Sequence, residues 1–542
     1  MKRILALSFL AACAPAATTS APAAGPAPAP APATTTRLKE APRDWHLLDE
    51  TTDHVPGISE RKAERDLLAN KPPRRTVIVA VIDNGIDTAH VDLRANLWSN
   101  PKEVPGNGTD DDNNGYVDDV RGWDFIGGKD GKFVDHDTFE ITRLYARCGA
   151  GGPIPDSLSA ADKQQCPKIS EDFRKKKEEV EESLGRVREY QNLYSNIEVL
   201  LRQDAHTDSI SKDVVEKLKP SSPEVAQAKS IYLQMLAADI TPKTMADAKK
   251  ELEGQAQYSL NPKFDPRGIV GDDYVNVNQR NYGNPDVTAA GAMHGTHVSG
   301  IIGAVRDNKE GVDGIAPAVR LMAVRAVPDG DERDKDIANA IRYAVDNGAQ
   351  VINMSFGKAY SPQKGAVDEA VRYADSKGVL MVHAAGNEGE DAAKHASFPT
   401  PNYLSGGRAQ NWIEVGATSW HMGDSLVANF SNYGQNQVDV FAPGVDIYST
   451  VPKGYDKESG TSMASPVVAG LAALIMSYYP QLTAAEVKRA ILESSTKYPN
   501  LRVLRPGEGS DKVPFSTLSV TGGIVNAYAA LKMAEEMSKA RP

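Results

Sequence analysis

Four side chains in this 542-residue sequence have the types that acyl-transfer chemistry uses: Asp83, His294, Asn387 and Ser462. Asp83 follows the apolar run Val77-Ile78-Val79-Ala80-Val81-Ile82 and precedes Asn84-Gly85, so it is an acid at the carboxyl end of a predicted strand. Ligands of open α/β sheets gather at that edge, although Asp also ends strands for local reasons. His294 opens the string His294-Gly295-Thr296-His297-Val298-Ser299-Gly300, at the mouth of an apolar helix predicted over 297–305. Two histidines three apart suggest a metal pair, but zinc needs a third protein ligand and no His-Glu-x-x-His string is present. We assign the chemistry to His294 and a structural role to His297.

Ser462 lies in Gly460-Thr461-Ser462-Met463-Ala464-Ser465-Pro466, where an apolar helical run begins. A hydroxyl there meets the positive end of the helix dipole and a backbone N–H without an intrahelical partner. The small flanking residues let a substrate backbone approach closely, whereas alone such a serine is commonly an N-cap. Asn387, in Ala384-Ala385-Gly386-Asn387-Glu388-Gly389, offers a neutral amide donor suited to an oxygen that becomes negative during acyl transfer.

These residues need a scaffold that brings distant segments to one edge. Strand-length apolar runs recur at Thr76–Ile82, Val319–Val327, Val351–Phe356, Val379–Ala385, Trp412–Thr418 and Val438–Phe441. Helical patterns lie between several of them, such as Asp336–Asn347 with Ile337, Ala340, Ile341, Ala344 and Val345 on one face. Fully apolar strands alternating with helices predict a parallel sheet covered on both sides, an α/β fold. Residues 138–265 break the rhythm and contain no convincing strand. There Val180, Leu184, Val187, Tyr190, Tyr194, Ile197 and Leu201 recur every three or four positions on a charged helix. Pro220, Pro223 and Pro242 punctuate the helices after it, so this region reads as a helical insertion, whose partner, if it has one, is not specified.

The order Asp83, His294, Asn387, Ser462 and the strings around them resemble the subtilisin-like serine proteases (subtilases, peptidase S8 family), over about residues 76–130 and 266–535. The resemblance implies a three-layer α/β/α fold with a mainly parallel sheet, the insertion falling between Asp83 and His294. It implies Ser462 as nucleophile, His294 as general base, Asp83 as its orienting carboxylate, and Asn387 with the Ser462 N–H as oxyanion hole. Ser355, Phe356 and Gly357, in Asn353-Met354-Ser355-Phe356-Gly357, match the strand that pairs with substrate backbone beside the P1 pocket, and Gly386 lines the same place. Protein or peptide substrates are implied, with no cofactor for catalysis. Two positions depart from the family pattern. Asn84 replaces a usual Ser or Thr, where its amide can hydrogen-bond the carboxylate, and His383 replaces a small residue, which bears on pocket preference.

Asp110, Asp112, Asn114, the Tyr116 carbonyl and Asp118 fall at calcium-loop positions one, three, five, seven and nine, around Gly115. Arg121 stands where the bidentate Glu is expected. Such oxygen density suits Ca²⁺, and structural calcium is frequent in subtilases; a solvated acidic turn is the alternative. Cys148 and Cys166 are 18 positions apart and could pair in an exported protein.

Lys2 and Arg3 precede the apolar run Ile4–Ala12, a secretory signal layout, and Leu10-Ala11-Ala12-Cys13 resembles a bacterial lipoprotein signal with lipidation at Cys13. The expected organisation is a signal over 1–12, an Ala/Pro/Thr-rich tether over 13–40, catalytic-domain parts over 41–137 and 266–542, and the insertion over 138–265. Residues 37–75 read as an arm packed on the catalytic domain. This is the layout of an exported protein held on a membrane by an N-terminal lipid, leaning toward the outer membrane or cell surface. Lys and Arg total 61 against 72 Asp and Glu, a net charge of −11 that argues against nucleic acid as the main partner. Two classes remain: a serine endopeptidase, or a surface binding lipoprotein that uses the same fold with little or no activity.

Overall fold

The computed structural model describes residues 40–238, 240–288, 291–507 and 509–540. The predicted signal, Cys13 and all but the last residue of the tether lie outside the described residues. The chain forms two compact units, one holding Arg174–Gln257 and the other Pro42–Phe173 with Tyr258–Pro542.

In the larger unit, β1 (Val77–Asp83), β2 (Gly122–Asp124), β3 (Val319–Arg325), β4 (Val351–Met354), β5 (Leu380–Ala384), β6 (Trp412–Thr418) and β7 (Val440–Pro443) form the body of a sheet. The hairpin β8 (Ile447–Val451) and β9 (Gly454–Glu458) comes next, then β10 (Thr496–Lys497), the short pair β11 (Arg502–Leu504) and β12 (Lys512–Pro514), and β13 (Gly523–Ile524). The nine-stranded order is β10-β13-β7-β6-β5-β4-β1-β3-β2. Among the described residues of this sheet, only the β10–β13 pair is antiparallel.

Successive strand residues point to opposite faces, so a strand covered on both sides must be apolar throughout. Ala80, Ile82, Met322, Val324, Ile352, Met354 and Met381 pack in one core with the helices Asp334–Asp346 and Lys364–Ser376. The helices Met293–Gly303 and Thr461–Tyr478 pack against each other and against the sheet. Thr461–Tyr478 is apolar almost all round because it is a core helix, buried from Met463 to Ser477. This is the expected three-layer α/β/α arrangement. Because the strands are parallel, the ends of β1, β4 and β5 share one edge, where Asp83, Ser355 and Asn387 emerge.

The segment before β1 is fastened to the larger unit. Trp45 is fully buried with its Nε1 donating to the Val445 carbonyl at 3.0 Å. Glu60 pairs with Arg306 at 2.7 Å, and the Ala527 N–H reaches the Ile58 carbonyl. The Cys148 and Cys166 sulfurs are bonded to each other.

No strand occurs among the described residues of 138–265, but the separately compact unit is narrower than the predicted insertion. It takes the helix Ala160–Ala205 from Arg174 onward and the helices Lys212–Lys217, Pro223–Ala237 and Pro242–Gly254. Pro223 and Pro242 are first helical residues, where a missing N–H costs nothing, and Ser222 and Thr241 cap them. Tyr194, Ile197, Leu201, Val215, Tyr232 and Met235 share one core.

Candidate active site

Asp83, 2% exposed, ends β1 and accepts a hydrogen bond from the Asn84 N–H at 2.8 Å. The helix Met293–Gly303 comes against this strand end so closely that a Cβ at Gly295 would lie 2.1 Å from the Gly85 carbonyl oxygen. Glycine there lets the preceding residue reach the acid. His294 Nδ1 lies 2.8 Å from Asp83 Oδ1 and 3.0 Å from Oδ2. A carboxylate can only accept, so Nδ1 carries a proton and, in the neutral ring, Nε2 keeps its lone pair.

Burial works against the charged imidazole of His294. The Asp83 carboxylate, by its charge and its hydrogen bond, and the charge of Glu458 outweigh that effect and hold the pKa above the usual 6.5. His294 still leaves 36% of its side chain exposed. His297 differs: its Nε2 donates to the carbonyls of Ile447 and Asp456 at 3.0 and 3.2 Å. Burial first, and then the His294 charge, pull its pKa down to about 4. It fixes the helix against the β8–β9 hairpin.

The Asn84 side chain does not bond the carboxylate, contrary to the sequence expectation. Its Nδ2 donates to the Gly291 carbonyl at 3.0 Å and its Oδ1 accepts from the Gly295 N–H at 3.0 Å, while the backbone N–H serves Asp83. Asn84 thereby pins the start of the imidazole helix.

Ser462 stands in the first turn of the helix Thr461–Tyr478. Its hydroxyl donates to the Ser355 carbonyl at 3.0 Å, and its own carbonyl accepts from the Ser355 hydroxyl at 2.9 Å. Ser465 donates to Asn353 Oδ1 and Asn353 Nδ2 to the Ser355 hydroxyl, completing a chain that locks this helix to the end of β4. In this arrangement the Ser462 hydroxyl is bonded to Ser355, not to His294.

Asn387 Oδ1 accepts from the Thr461 N–H at 2.8 Å and from the Thr461 hydroxyl at 3.0 Å. Committing the oxygen leaves the NH₂ as the free end of the amide. A Cβ placed on Gly460 would lie 3.5 Å from both Asn387 Nδ2 and Ser462 N, so the two donors flank one spot. Gly386 has φ +103°, and a side chain there would meet Asn432 Nδ2 at 2.4 Å. Thr461 and Asn432, which hold this loop, are additions to the residues the sequence points to. Thr461 sits inside the Gly-Thr-Ser string, whereas no local signal marks Asn432.

Phe356 and Gly357 follow β4. Lys358 exchanges backbone hydrogen bonds with Phe398, and a Cβ on Gly357 would meet Ser397 Oγ at 2.2 Å. His383 is fully buried on β5; its Nδ1 lies 2.8 Å from Glu414, which also accepts from Trp412 Nε1, and its ring stands edge-on to Phe356.

The acidic loop closes differently from its predicted ligand set. Asp110, Asp112 and Glu103 bring carboxylate oxygens within 4.8 Å of one another. Asp118 instead accepts from the backbone N–H groups of Gly106, Asn107 and Gly108. Asn114 accepts from the Tyr116 N–H and donates to Asp119. Glu103 is 7% exposed; its Oε1 accepts from the Asp111 and Asp112 N–H groups, while its Oε2 has no hydrogen-bond partner.

The family model described as Subtilase family matches residues 74–509. The thermophilic serine proteinase of Bacillus sp. (strain AK1) is 42% identical over 238 residues, covering 44% of this chain and 53% of that protein. The chain therefore spans about half the length of that relative. Thermitase of Thermoactinomyces vulgaris is 36% identical over 276 residues, 51% of this chain and 85% of its own. A solved structure concerned with the assembly of subtilase cytotoxin SubAB covers 47% of this chain and 81% of its own at 25% identity, with a TM-score of 0.39.

Proposed function

The chain belongs to the subtilase family, and from that premise we propose that it is an exported serine endopeptidase working through Ser462, His294, Asp83 and Asn387. The observation that carries this reading is the His294–Asp83 bond at 2.8 Å, which leaves Nε2 free at the edge where Ser462 and Asn387 also emerge. The mechanism requires rotation about the Ser462 Cα–Cβ bond to carry the hydroxyl from the Ser355 carbonyl to that nitrogen. The imidazole then takes its proton as the oxygen attacks the scissile carbonyl. Asn387 Nδ2 and the Ser462 N–H receive the negative charge that forms, in a place already fixed by Thr461. The imidazolium hands its proton to the leaving amine, and water hydrolyses the acyl-enzyme by the reverse sequence. Asp83 keeps the imidazole oriented and favours its cation.

An extended peptide adds as a strand along Ser355, Phe356 and Gly357, with Gly386 across the cleft. Hydrolysis of a mixed peptide library tests the assignment. Internal cleavage by the wild type and none by Ser462→Ala supports it; equal cleavage by both, or none by either, rejects it.

Structural calcium belongs to the same proposal, with a revised ligand set of Glu103, Asp110 and Asp112. Three carboxylates on one point repel, with the Lys102 ammonium 3.7 Å from Asp112 Oδ2 beside them, and the unpartnered Glu103 Oε2 supplies a hard oxygen that a bound cation would use. Its contribution is to stability and not to bond cleavage.

Export and anchoring rest on the N-terminal sequence. Cleavage before Cys13 and lipidation of its thiol would hold the enzyme on a membrane, since each buried methylene adds about 0.8 kcal/mol. Incorporation of labelled palmitate by the wild type and its loss in Cys13→Ser support this. Unchanged incorporation in Cys13→Ser, or none in the wild type, rejects it.

A further inference from the structure

Immediately after the proposed peptide-pairing strand stands a buried cation that the mechanism above does not use. Lys358 follows Gly357, and its backbone N–H and carbonyl are both committed to Phe398. Its ammonium meets three oxygens: Glu140 Oε2 at 3.0 Å, Asp334 Oδ1 at 2.8 Å and the Glu332 carbonyl at 2.7 Å. An ammonium has three protons to give, so the set is complete. Burial works against the cation, but the charges of Glu140 and Asp334 outweigh it and hold the Lys358 pKa above its usual value. The oxygens come from separate parts of the chain. Glu332 lies in the turn after β3, and Asp334 opens the helix Asp334–Asp346 while also accepting from the Ser361 hydroxyl and the Gln363 N–H. Glu140 opens the helix Glu140–Arg147, the first helix of the predicted insertion.

That helix is itself braced. The Glu140 N–H donates to Asp331 Oδ2 at 2.8 Å, and Arg143 donates to Glu140 Oε2 at 2.7 Å and to the Asp331 carbonyl at 3.2 Å. The Cys148–Cys166 bond joins it to the start of the helix Ala160–Ala205, where Phe173 stacks on Tyr145 and Asp172 accepts from the Tyr360 hydroxyl. Two ties, at Lys358 and at Tyr360, thus run from residues 140–173 to the segment just past Gly357, all within the larger unit. Resting on the endopeptidase reading, we propose that Glu140 and Lys358 are positioning residues, through which the first part of the insertion holds Gly357 in register with an extended peptide. The Ser355 carbonyl, 3.0 Å from the Ser462 hydroxyl, marks where the residue before the scissile bond lies. Backbone groups of alternate residues share one strand edge, so Gly357 meets the third residue before that bond.

Matched peptides with two or three residues before the scissile bond test this through the ratio of their kcat/KM values, which cancels the active fraction of each preparation. In the wild type the third residue should raise kcat/KM about tenfold, the order of one or two hydrogen bonds. In Glu140→Ala the Lys358 ammonium keeps Asp334 and the Glu332 carbonyl. There the gain should fall to about threefold or less, through KM. Glu140→Gln keeps an acceptor and should retain most of the gain. Lys358→Met should lose it as Glu140→Ala does, and the double variant should lose no more than either alone, because both break one link. Rates with the two-residue peptide and with a fluorophosphonate should stay within about twofold of the wild type. A gain in Glu140→Ala as large as in the wild type overturns the proposal. So does a loss that falls equally on both peptides and on the probe, which is what a general loosening of the fold would give. A wild type that cleaves peptides but gains nothing from the third residue also overturns it, while the endopeptidase reading stands. One that neither cleaves peptides nor reacts with the probe fails that reading itself, and this inference falls with it.

Discussion

Asn387 gives its amide oxygen to both the N–H and the hydroxyl of Thr461, the residue immediately before Ser462. The orientation of the amide is thus set, and its NH₂ is the end that the proposed mechanism uses for charge stabilisation. Asn387→Ala should lower kcat by about 10²–10³, the order that loss of one such donor costs in a subtilisin, with KM little changed. Asn387→Asp keeps the size but cannot donate when ionised, so it should be at least as damaging. Steady-state kinetics on one peptide check both; a rise in KM alone would mean that Asn387 merely binds substrate.

In the proposed mechanism the pH dependence is set by His294. Only the neutral imidazole accepts the hydroxyl proton, and its pKa is raised above 6.5. We therefore expect kcat/KM to fall as pH drops through a midpoint above 6.5. The sign for stability is opposite: the folded state favours the protonated ring, so this contribution is complete below the unfolded pKa and is lost as pH rises through the folded one. NMR titration of the ring in Ser462→Ala checks the midpoint; a value at or below 6.5 would rule out the dominance of the Asp83 carboxylate over burial.

Calcium should stabilise the fold by mass action, by about 2.7 kcal/mol when its concentration is a hundredfold above Kd. A chelator should lower Tm, and Glu103→Gln should weaken the calcium dependence. A Tm indifferent to both calcium and chelator would remove the site.

The bond between Cys148 and Cys166 closes a loop of 18 residues. Replacing both by Ser should cost about 3 kcal/mol of stability, read as a lower denaturant midpoint. An unchanged midpoint would show that the cross-link does not constrain the unfolded chain.

The parts of this fold legible in the sequence are those whose environment is uniform along the segment. β1 is buried on both faces, so Val77–Ile82 is a continuous apolar run, and the helix after Ser462 is core on every side. Asp83, His294 and Ser462 are readable because each stands where such a run begins or ends. The β8–β9 hairpin is not, because in β9 Asp456 and Lys457 are exposed and Tyr455 and Glu458 only half-buried, so no apolar run marks the strand, and it is held by contacts with His297. β10 and β13 have two residues each, too short for any pattern. Glu103 escapes the loop pattern because it lies seven positions before Asp110, outside the regular spacing. The role of Asn84 differs from expectation because spacing says nothing about whether a side chain or its own backbone N–H will reach the acid.

The proposed mechanism requires that His294 activate the Ser462 hydroxyl. Reaction of the folded protein with a fluorophosphonate, followed by peptide mass mapping, reads that activation without any assumption about substrate. One adduct is expected, on Ser462, abolished in Ser462→Ala and strongly slowed in His294→Ala. A folded wild type that takes up no probe, or takes it up on another residue, would refute the assignment.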